Sequence, residues 1–597
     1  MEVVLMHDFV DLSMVLEDFF DHGGHLDITL SDILEGLILV AQEQASQRER
    51  ARQRTIELKK KRSNVVEFDD SQEDSTGTED DNQNSTEAKF DHGAQHEAEK
   101  ADEETEIEAG QKTLGRRQSV VRLTLRRTEN GSPLGQHGIG AIDEEKGVGE
   151  GIASVTSLLR GGYSYEPQER DLLDHTSEAD RRVMQEGEHF MKMALGIYGY
   201  GMYILNHQLT GCCRLTYGSA ARGCHGAGIM QHGNRCCLGE STTIHGDNPF
   251  GFYTTAFLTR SGLQPEDIVY ADFRTGVKRR PYCIVIDEEW KAIVVIVRGT
   301  FALEDAAADL SIRPIPLDDI GDRFGFDGTG EYVHSGMYAS AEWIYEDIES
   351  QGLLEGLLPS EGEKIGKQSD RLPDYRLYIT GHSLGAGVAA ILSLMLHRSY
   401  PALRALCFEP PGCTMTKKAA TKDYIVSYVQ SSDIVPRLSL RSLENLRDDV
   451  LEMIARVRVP KYQVLTPKRF KRLRKLDPSE DDVNRKLHRR VSIPDSDFLR
   501  QLNEFRRYQA DLTRERGDEG VTLLPPGKIV HLIHTNEDGH DGSCSESNKP
   551  YTAVWGRPED FLEIPLTGTF MSDHDPATNW KELKRLATSE FAGKKTN

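Results

Sequence analysis

Long hydrophobic runs are missing from this chain of 597 residues. No window approaches the roughly 18–20 apolar residues that a membrane-spanning helix needs, and the best candidate, Ile33–Ala41, is short and contains Glu35. The first residues are followed by acidic side chains and lack the basic start of a secretory signal peptide. We therefore expect that the chain as given does not cross a membrane.

Net positive charge is also absent, and cysteine is scarce. The chain carries 96 acidic and 72 basic residues, a formal charge of −24, which argues against nucleic acid as its main partner. Nine cysteines in this length do not suggest a secreted disulfide framework, so we expect reduced thiols in the cytosol. The length is sufficient for several domains and a large core.

Composition divides the chain into four predicted parts. The second is so poor in apolar residues that burial cannot offset the entropy cost of ordering, and we predict it to be disordered. The first contains a predicted helix from Ser31 to about Arg62. The parts are 1–62, a helical segment; 63–165, an acidic and glycine-rich linker; 166–260, a helical and cysteine-rich lead-in; and 261–590, the main domain.

The lead-in contains an unusual cluster of cysteine and histidine. Zinc sites usually have C-x-x-C spacing, which this cluster lacks, so a zinc site fits it poorly. Palmitoylation of cysteines beside an apolar helix is a second interpretation, and an irregular insertion without function is a third. The residues are Cys212, Cys213, Cys224, His225, His232, Cys236 and Cys237.

What the chain does contain is a nucleophile motif between a predicted strand and a predicted helix. The strand 375–380 runs into Gly381-x-Ser383-x-Gly385, and an alanine-rich helix follows. In this context G-x-S-x-G is the nucleophile elbow of an α/β-hydrolase. The glycines leave room for a tight turn. Because serine is a weak nucleophile alone, the motif also predicts a histidine base.

Strands and helices alternate on both sides of the elbow. A strand-turn-strand meander is predicted within 268–298, and helices are predicted from about Leu303 and after His334. Two further strands, 406–409 and 424–430, follow the elbow helix. Such alternation predicts the α/β-hydrolase fold, a mostly parallel sheet with helices on both faces.

The partners of the serine are predicted from chain order, which in α/β-hydrolases is Ser, then Asp or Glu, then His. Asp433 follows the strand 424–430, whereas Asp423, at the opposite end of that strand, is the alternative, as is a turn aspartate without function. His574 follows a predicted last strand, 561–565. Chain order favours His574 as the base and leaves His534 as the second candidate.

Two backbone N–H groups are predicted to form the oxyanion hole. One belongs to Leu384, directly after the serine, and the other comes from the loop after an earlier strand. Arg298-Gly299-Thr300 ends such a strand, so the Thr300 N–H, with its hydroxyl, is the candidate. A strand-to-helix turn without this role is the alternative.

Several segments of the chain share their residues with one known family. The run from Tyr282 to Pro436, with later matches, resembles the class 3 (fungal-type) lipases and, more narrowly, the sn-1-specific diacylglycerol lipases. The matching segments include Val297-Arg298-Gly299-Thr300, His334-Ser335-Gly336-Met337, the elbow, Glu409-Pro410-Pro411-Gly412, Ser432-Asp433-Ile434-Val435-Pro436 and Asp573-His574-Asp575-Pro576.

The resemblance implies a serine lipase with the triad Ser383, Asp433 and His574, and it favours His574 over His534. Diacylglycerol would be cleaved to 2-monoacylglycerol and a fatty acid. The triad requires no cofactor, although calcium has been associated with the family. Phospholipase A1 and triacylglycerol lipase share the core and are alternatives. A more distant one is an inactive hydrolase fold that acts as a membrane scaffold.

The resemblance also bears on membrane attachment. Family members carry four N-terminal transmembrane helices, so either the gene prediction is truncated or the protein binds the cytoplasmic side of a membrane peripherally. The charged insertion 467–524 corresponds to a regulatory loop of the family. Within it Lys468–Lys475 is a candidate contact with anionic lipid, at about 1 kcal/mol per basic residue, or a solvated surface. Ser119 and Ser492 follow arginines and are candidate kinase sites.

Overall fold

The computed structural model describes residues 30–73, 172–207, 210–221, 243–276, 278–300, 314–359, 372–456, 461–465, 521–534 and 551–592. The chain divides into two compact units, one of residues 1–62 and 154–597 and one of residues 63–153. Of the second unit, only residues 63–73 are described. The cysteine-rich residues beyond Cys213, the candidate lipid contact at 468–475 and both candidate kinase sites lie outside the described residues.

The first described helix is longer than expected. Helix α1 (Leu30–Glu73) continues past Arg62, where we predicted its end. No glycine or proline interrupts residues 62–73, so nothing in the local sequence stops the helix there. Its apolar segment Ile33–Ala41 is buried within the protein. Among the described residues, no helix combines the length and the apolar character needed to cross a bilayer.

Nine strands form one sheet, which is ordered almost as the chain runs. Its central strands are parallel to one another, and antiparallel pairs lie towards both edges. Strands β5 (Pro314–Pro316) and β6 (Tyr332–His334) pair separately. The order in the sheet is β1 (Thr243–His245), β2 (Ile268–Asp272), β3 (Tyr282–Asp287), β4 (Ala292–Val297), β7 (Arg376–His382), β8 (Arg404–Phe408), β9 (Ile425–Gln430), β10 (Lys528–His534) and β11 (Tyr551–Gly556).

Eleven further helices are described. They are α2 (Glu178–Gly196), α3 (Tyr200–His207), α4 (Gly211–Ala221), α5 (Phe252–Ser261), α6 (Asp318–Phe324), α7 (Ser335–Gln351), α8 (Leu384–Leu396), α9 (Lys417–Ala420), α10 (Leu440–Arg456), α11 (Lys461–Leu465) and α12 (Pro576–Ser589).

Helices cover both faces of the sheet. In β4 the side chains of Ile293 and Val295 belong to the same core cluster as α7 and α8, whereas Val294 and Ile296 belong to the cluster formed with α2, α5 and α12. Successive strand residues point to opposite faces, so a strand buried on both faces is apolar throughout. The predicted α/β-hydrolase fold, a mostly parallel sheet between two helical layers, is confirmed.

The predicted last strand, 561–565, is absent. Strand β11 ends at Gly556, and Pro558–Phe561 forms a 3₁₀ turn closed by the Asp560 carboxylate, which accepts the Arg557 N–H at 2.8 Å. Proline at 558 and again at 565 removes backbone donors that a strand ladder would need. The backbone beyond this turn instead bonds to the side chain of Gln44 in α1, at Ile564 and Leu566.

Candidate active site

The elbow places Ser383 between the end of β7 and the start of α8. Its φ of 58° is in the left-handed region, which non-glycine residues rarely adopt and which is typical of strained functional turns. The close approach of neighbouring backbone explains the glycines: a Cβ on Gly385 would lie 2.4 Å from the Val297 carbonyl oxygen, and one on Gly381 2.5 Å from Gly385. No larger residue fits this turn without displacing β4.

Three neighbouring strands end in the same way. Ser383, Glu409 and Ser431 directly follow β7, β8 and β9, and all three have a positive φ, at 58°, 50° and 39°. Each donates its backbone N–H to a carbonyl of the next strand in the sheet, over 2.8–2.9 Å. The chain therefore turns sharply at one edge of the sheet three times, and this edge carries the polar side chains of the site.

The structure brings the three residues predicted as a triad into one line of contacts. His574 ends the short 3₁₀ turn Ser572–His574. Its Nε2 lies 2.9 Å from Ser383 Oγ and its Nδ1 lies 2.9 Å from Asp433 Oδ2. Asp433 is fully buried, and its other oxygen accepts the Val435 N–H at 2.9 Å. With its Nδ1–H donating to Asp433, the imidazole has a free lone pair on Nε2 for the serine proton.

A buried arginine supports the loop that carries Asp433. Arg437 donates from Nη1 to the Asp433 carbonyl at 2.6 Å and from Nη2 to the Ser431 carbonyl at 3.1 Å. Its guanidinium lies 4.7 Å from the centre of the Phe561 ring. Burial lowers the pKa of this guanidinium to about 10, so it stays charged at neutral pH and holds both carbonyls.

The candidate oxyanion donors lie at the elbow. Leu384 is the first residue of α8, so its N–H has no acceptor within the helix. A Cβ on Gly299 would lie 2.4 Å from the His382 carbonyl oxygen and 3.3 Å from Ser383 Cβ, which puts the residue before Thr300 against the serine. Thr300 is the last described residue before the segment 301–313, which contains the predicted helix from Leu303. The roles of Leu384 and Thr300 stay predictions.

A second polar chain behind His574 was not predicted from the sequence. The Tyr198 hydroxyl lies 2.8 Å from His382 Nδ1, and His382 Nε2 lies 2.8 Å from Glu409 Oε2. Asn579 in α12 donates to Glu409 Oε1 at 2.6 Å. Glu409 Oε2 lies 3.6 Å from Nδ1 of His574, so this chain reaches the histidine from a second side.

Burial determines the protonation states of the residues in this second polar chain. It raises the pKa of the Glu409 carboxyl well above its usual value, with the nearby Asp433 as the next cause. Burial and the neighbouring His574 lower the pKa of His382 well below its usual value, and burial raises the pKa of Tyr198. His382 is therefore a neutral imidazole, and Tyr198 is a neutral phenol. The sequence could have indicated Glu409 as a site residue, because it is an acid directly after the buried strand β8. Asp433 similarly lies three residues after β9.

The donor set of the site does not fit the calcium that the resemblance suggested. Among the described residues, His382, Glu409 and His574 form the cluster whose ligand atoms lie within 4.8 Å of one another. Two imidazoles and one carboxylate differ from the oxygen ligands that calcium prefers, and His382 and His574 have hydrogen-bond contacts at both ring nitrogens. We therefore derive no catalytic step through a metal.

Comparison with known proteins shows what parts of the chain are similar to. Residues 294–443 match the family described as Lipase (class 3). The chain is 28% identical over 474 residues to diacylglycerol lipase-beta of Mus musculus. This match covers 73% of this chain and 64% of that protein. It is 29% identical over 438 residues to diacylglycerol lipase-alpha of Homo sapiens, and this match covers 71% of this chain and 38% of that protein.

A shorter match is to a protein named as a phospholipase A1. The chloroplastic phospholipase A1 PLIP2 of Arabidopsis thaliana is 29% identical over 162 residues, which covers 25% of this chain and 20% of that protein. The chain spans less than two thirds of the length of each of these three curated relatives. Residues 294–443 are thus similar to the class 3 lipases, and over 71–73% of its length the chain is similar to the diacylglycerol lipases.

Proposed function

We propose that this protein is a serine lipase that hydrolyses a fatty-acyl ester of a glycerolipid. The observation that carries the proposal is the line of contacts from Ser383 Oγ through the His574 ring to Asp433 Oδ2, with 2.9 Å at each step. This is the arrangement in which a histidine accepts the proton of a serine while a carboxylate fixes its tautomer.

The reaction follows from the geometry in two halves. Ser383 Oγ attacks the ester carbonyl, its proton passes to His574 Nε2, and His574 returns that proton to the departing glyceride oxygen. In the second half, water gives a proton to His574 and attacks the acyl carbonyl. His574 then returns this proton to Ser383 Oγ as the bond to the serine breaks and the fatty acid leaves. Asp433 holds the imidazole through Nδ1 and stabilises its positive charge. These proton transfers use side chains, substrate and water only.

The oxyanion of each tetrahedral intermediate needs donors at the elbow. We assign this role to the backbone N–H groups of Leu384 and Thr300. Each such donor typically contributes about 2.7–4 kcal/mol to transition-state stabilisation. The tight packing of Gly299 and Gly385 against the elbow supports the assignment, because it fixes the backbone from which both donors project.

Diacylglycerol is the proposed substrate, with 2-monoacylglycerol and a fatty acid as products. The support is the similarity to two proteins named diacylglycerol lipases. Phospholipase A1 activity is the second candidate, because the match to PLIP2 covers a quarter of this chain. Because the proposed substrate is a membrane lipid, we propose that the protein works at the cytoplasmic surface of a membrane. Anionic-lipid binding at 468–475 and phosphorylation at Ser119 and Ser492 are proposals from sequence alone.

A fluorophosphonate probe tests the serine directly. The wild-type protein should be labelled, and Ser383→Ala should not. Ser393→Ala is the matched control and should be labelled like the wild type. Ser393 lies in α8, directly after the elbow, and its hydroxyl donates to the Ala390 carbonyl at 2.6 Å. Absence of labelling in the wild type, or equal labelling of Ser383→Ala, would overturn the hydrolase proposal.

Product analysis tests the substrate. Wild type and Ser383→Ala are given diacylglycerol, triacylglycerol and phosphatidylcholine in separate vesicle preparations. We expect 2-monoacylglycerol from diacylglycerol and little product from the other two lipids. Faster release of lysophosphatidylcholine would instead support a phospholipase A1, and the serine mechanism would stand.

A further inference from the structure

Two carboxyl groups, not one, face the Nδ1 atom of His574. Asp433 Oδ2 lies 2.9 Å from it, and Glu409 Oε2 lies 3.6 Å from it. Both acids are completely buried. They come from neighbouring strands, since Glu409 follows β8 and Asp433 follows β9. A shift of roughly half an ångström would bring Glu409 into the 2.7–3.2 Å range of a hydrogen bond.

Glu409 is held in this position by a backbone turn and by side chains from two other elements. Its φ of 50° is in the left-handed region, and its N–H donates to the Tyr428 carbonyl at 2.8 Å. Asn579 of α12 and His382 of β7 each bond one of its oxygens, at 2.6 and 2.8 Å. A strained turn in a non-glycine residue persists only where the surroundings enforce it.

The hydrogen bonds from Tyr198 through His382 to Glu409 have a defined direction. Neutral Tyr198 donates its O–H to His382 Nδ1, and neutral His382 donates its Nε2–H to Glu409 Oε2. The side of Glu409 that faces His574 therefore already receives one donor. Its lone pairs still have room for a second donor, because a carboxylate oxygen accepts two.

We propose that Glu409 is a positioning residue for His574, a second acceptor for its Nδ1–H that takes over when Asp433 does not hold it. The proposal rests on the proposed lipase function. During acyl transfer no bond to Glu409 forms or breaks. The serine proton moves to Nε2 and returns to the leaving oxygen, and Glu409 supports the imidazolium only when Asp433 is absent.

Burial and neighbouring charges explain why Glu409 does not act as the acceptor for His574 while Asp433 is present. The acids that face it are Asp433 and, from the loop before α12, Asp573 and Asp575, and together with burial they favour its protonated form. His382 and Asn579 face it as neutral donors. Removing the Asp433 carboxylate removes the first of these repulsions, so Glu409 ionises more readily and attracts the Nδ1–H.

Four forms of the full chain test the proposal: wild type, Asp433→Ala, Glu409→Gln and the double variant. We expect Asp433→Ala to lose about 100- to 1,000-fold in kcat and yet to stay above the Ser383→Ala background. The double variant should lose at least about a further tenfold, whereas Glu409→Gln alone should stay within about threefold of wild type. KM for diacylglycerol should change little throughout. A double variant equal to Asp433→Ala overturns the proposal.

The pH profile separates positioning from a structural role. In Asp433→Ala, activity requires Glu409 to be ionised and His574 to be neutral, so the acid limb of kcat/KM should correspond to two ionisations, and the double variant should return it to one. A single ionisation in Asp433→Ala overturns the proposal even if Glu409→Gln does not fold. An inactive wild type would instead refute the lipase function.

Asp573→Asn is the matched control in the Asp433→Ala background. Asp573 is another buried acid beside Asp433, but its Oδ2 accepts from Ser432 N–H and Thr569 O–H, each at 3.0 Å. Asparagine keeps an acceptor for both. In the Asp433→Ala background, Asp573→Asn should cost less than about threefold in kcat. A further loss of about tenfold, as expected of Glu409→Gln in that background, would show that removal of any buried acid has this effect and would overturn the proposal.

Discussion

Gln44 accepts a 2.8 Å hydrogen bond from the backbone N–H of Leu566, 522 positions later in the chain. The same side chain donates to the Ile564 carbonyl at 2.9 Å. In this way α1 replaces the strand partner that the segment 564–566 lacks. Because this segment leads into the loop that carries His574, the N-terminal helix is linked directly to the candidate active site.

Removal of the Gln44 side chain should therefore affect both stability and activity. In Gln44→Ala two buried backbone groups lose their partners, at a cost of about 1–3 kcal/mol each. We expect a lower melting temperature and a several-fold lower kcat with KM unchanged, because the His574 loop is less well fixed. Thermal unfolding and lipase kinetics measure both effects.

Gln47→Ala is the control for this prediction. Gln47 lies one turn further along α1 and is half-buried. Its removal should change stability by less than about 0.5 kcal/mol, as is usual away from buried polar contacts. Equal effects of the two exchanges would show that the hydrogen bonds of Gln44 do not position the loop.

Gly299→Ala should damage catalysis more than folding. The new Cβ would meet the His382 carbonyl oxygen at 2.4 Å and the Tyr198 hydroxyl at 2.5 Å, so the backbone must move away from the elbow together with the N–H of Thr300. Loss of one oxyanion donor typically lowers kcat by about 100- to 1,000-fold. Kinetics with diacylglycerol should show this fall in kcat at a similar KM.

Gly201→Ala provides the matched glycine exchange. Nothing lies within 4 Å of a Cβ placed on Gly201, which is in α3. Because alanine favours the helix over glycine by about 1 kcal/mol, this variant should be as active as wild type and slightly more stable. Full activity of Gly299→Ala would rule out Thr300 as an oxyanion donor.

The sequence was most informative where function depends on chain order and local pattern. Ser383, Asp433 and His574 were predicted as a set because the elbow motif and the order of acid and base are local or sequential properties. The structure places Ser383 and Asp433 each in contact with His574. The apolar strands and the alternation of elements likewise predicted a buried, mostly parallel sheet, because a strand buried on both faces must be apolar throughout.

The rest depends on packing between distant parts of the chain. Glu409 lies in a segment that resembles the lipase family, but its contact with His574 depends on how β8, β7 and α12 pack together. Tyr198, in the turn between α2 and α3, contacts His382, which lies 184 positions later. Asn579 of α12 contacts Glu409, which lies 170 positions earlier. The missing strand at 561–565 has the same cause, since a side chain of α1 satisfies that backbone. No local pattern encodes such contacts.

Arg437 is predicted to be more important for the Asp433 loop than its charge suggests. Arg437→Met would remove the Arg437 donor from the Asp433 carbonyl and would leave the Ser431 carbonyl with His531 Nε2, which lies 2.8 Å from it. Hydrogen bonds to charged groups contribute about 1.5–3 kcal/mol. We expect a lower melting temperature and a loss of kcat of at least about tenfold. Denaturant unfolding and kinetics at pH 7 provide the measurements.

Arg441→Ala is the comparison for Arg437. Arg441 is about half exposed and pairs with Glu444 one turn later, at 3.3 Å. Exposed pairs of this kind contribute about 0–1 kcal/mol, so this variant should resemble wild type in stability and in kcat. If Arg437→Met were equally mild, the two carbonyls would have to be satisfied without the guanidinium.

Glu35 should make stability depend on pH. It lies in the buried part of α1 with only 2% of its surface exposed, and its Oε1 has no hydrogen-bond partner among the described residues. Burial raises its pKa from 4.5 to about 7, against the opposing effect of Lys461. The folded state therefore holds a proton that the unfolded chain has already lost, in the range between these two values.

The sign of the effect follows from this difference. The stability contributed by protonated Glu35 is fully present below about pH 4.5 and is lost as pH rises through about 7, by at most about 3 kcal/mol, since one pKa unit corresponds to 1.36 kcal/mol. Glu35→Gln should therefore be more stable than wild type at pH 8 and nearly equal to it at pH 5.

Glu43→Gln is the control. Glu43 is a half-buried neighbour in α1, and its exchange should leave the pH dependence of wild-type stability intact. Melting curves of the three proteins from pH 5 to 8 decide the matter, and parallel curves for wild type and Glu35→Gln would contradict the prediction.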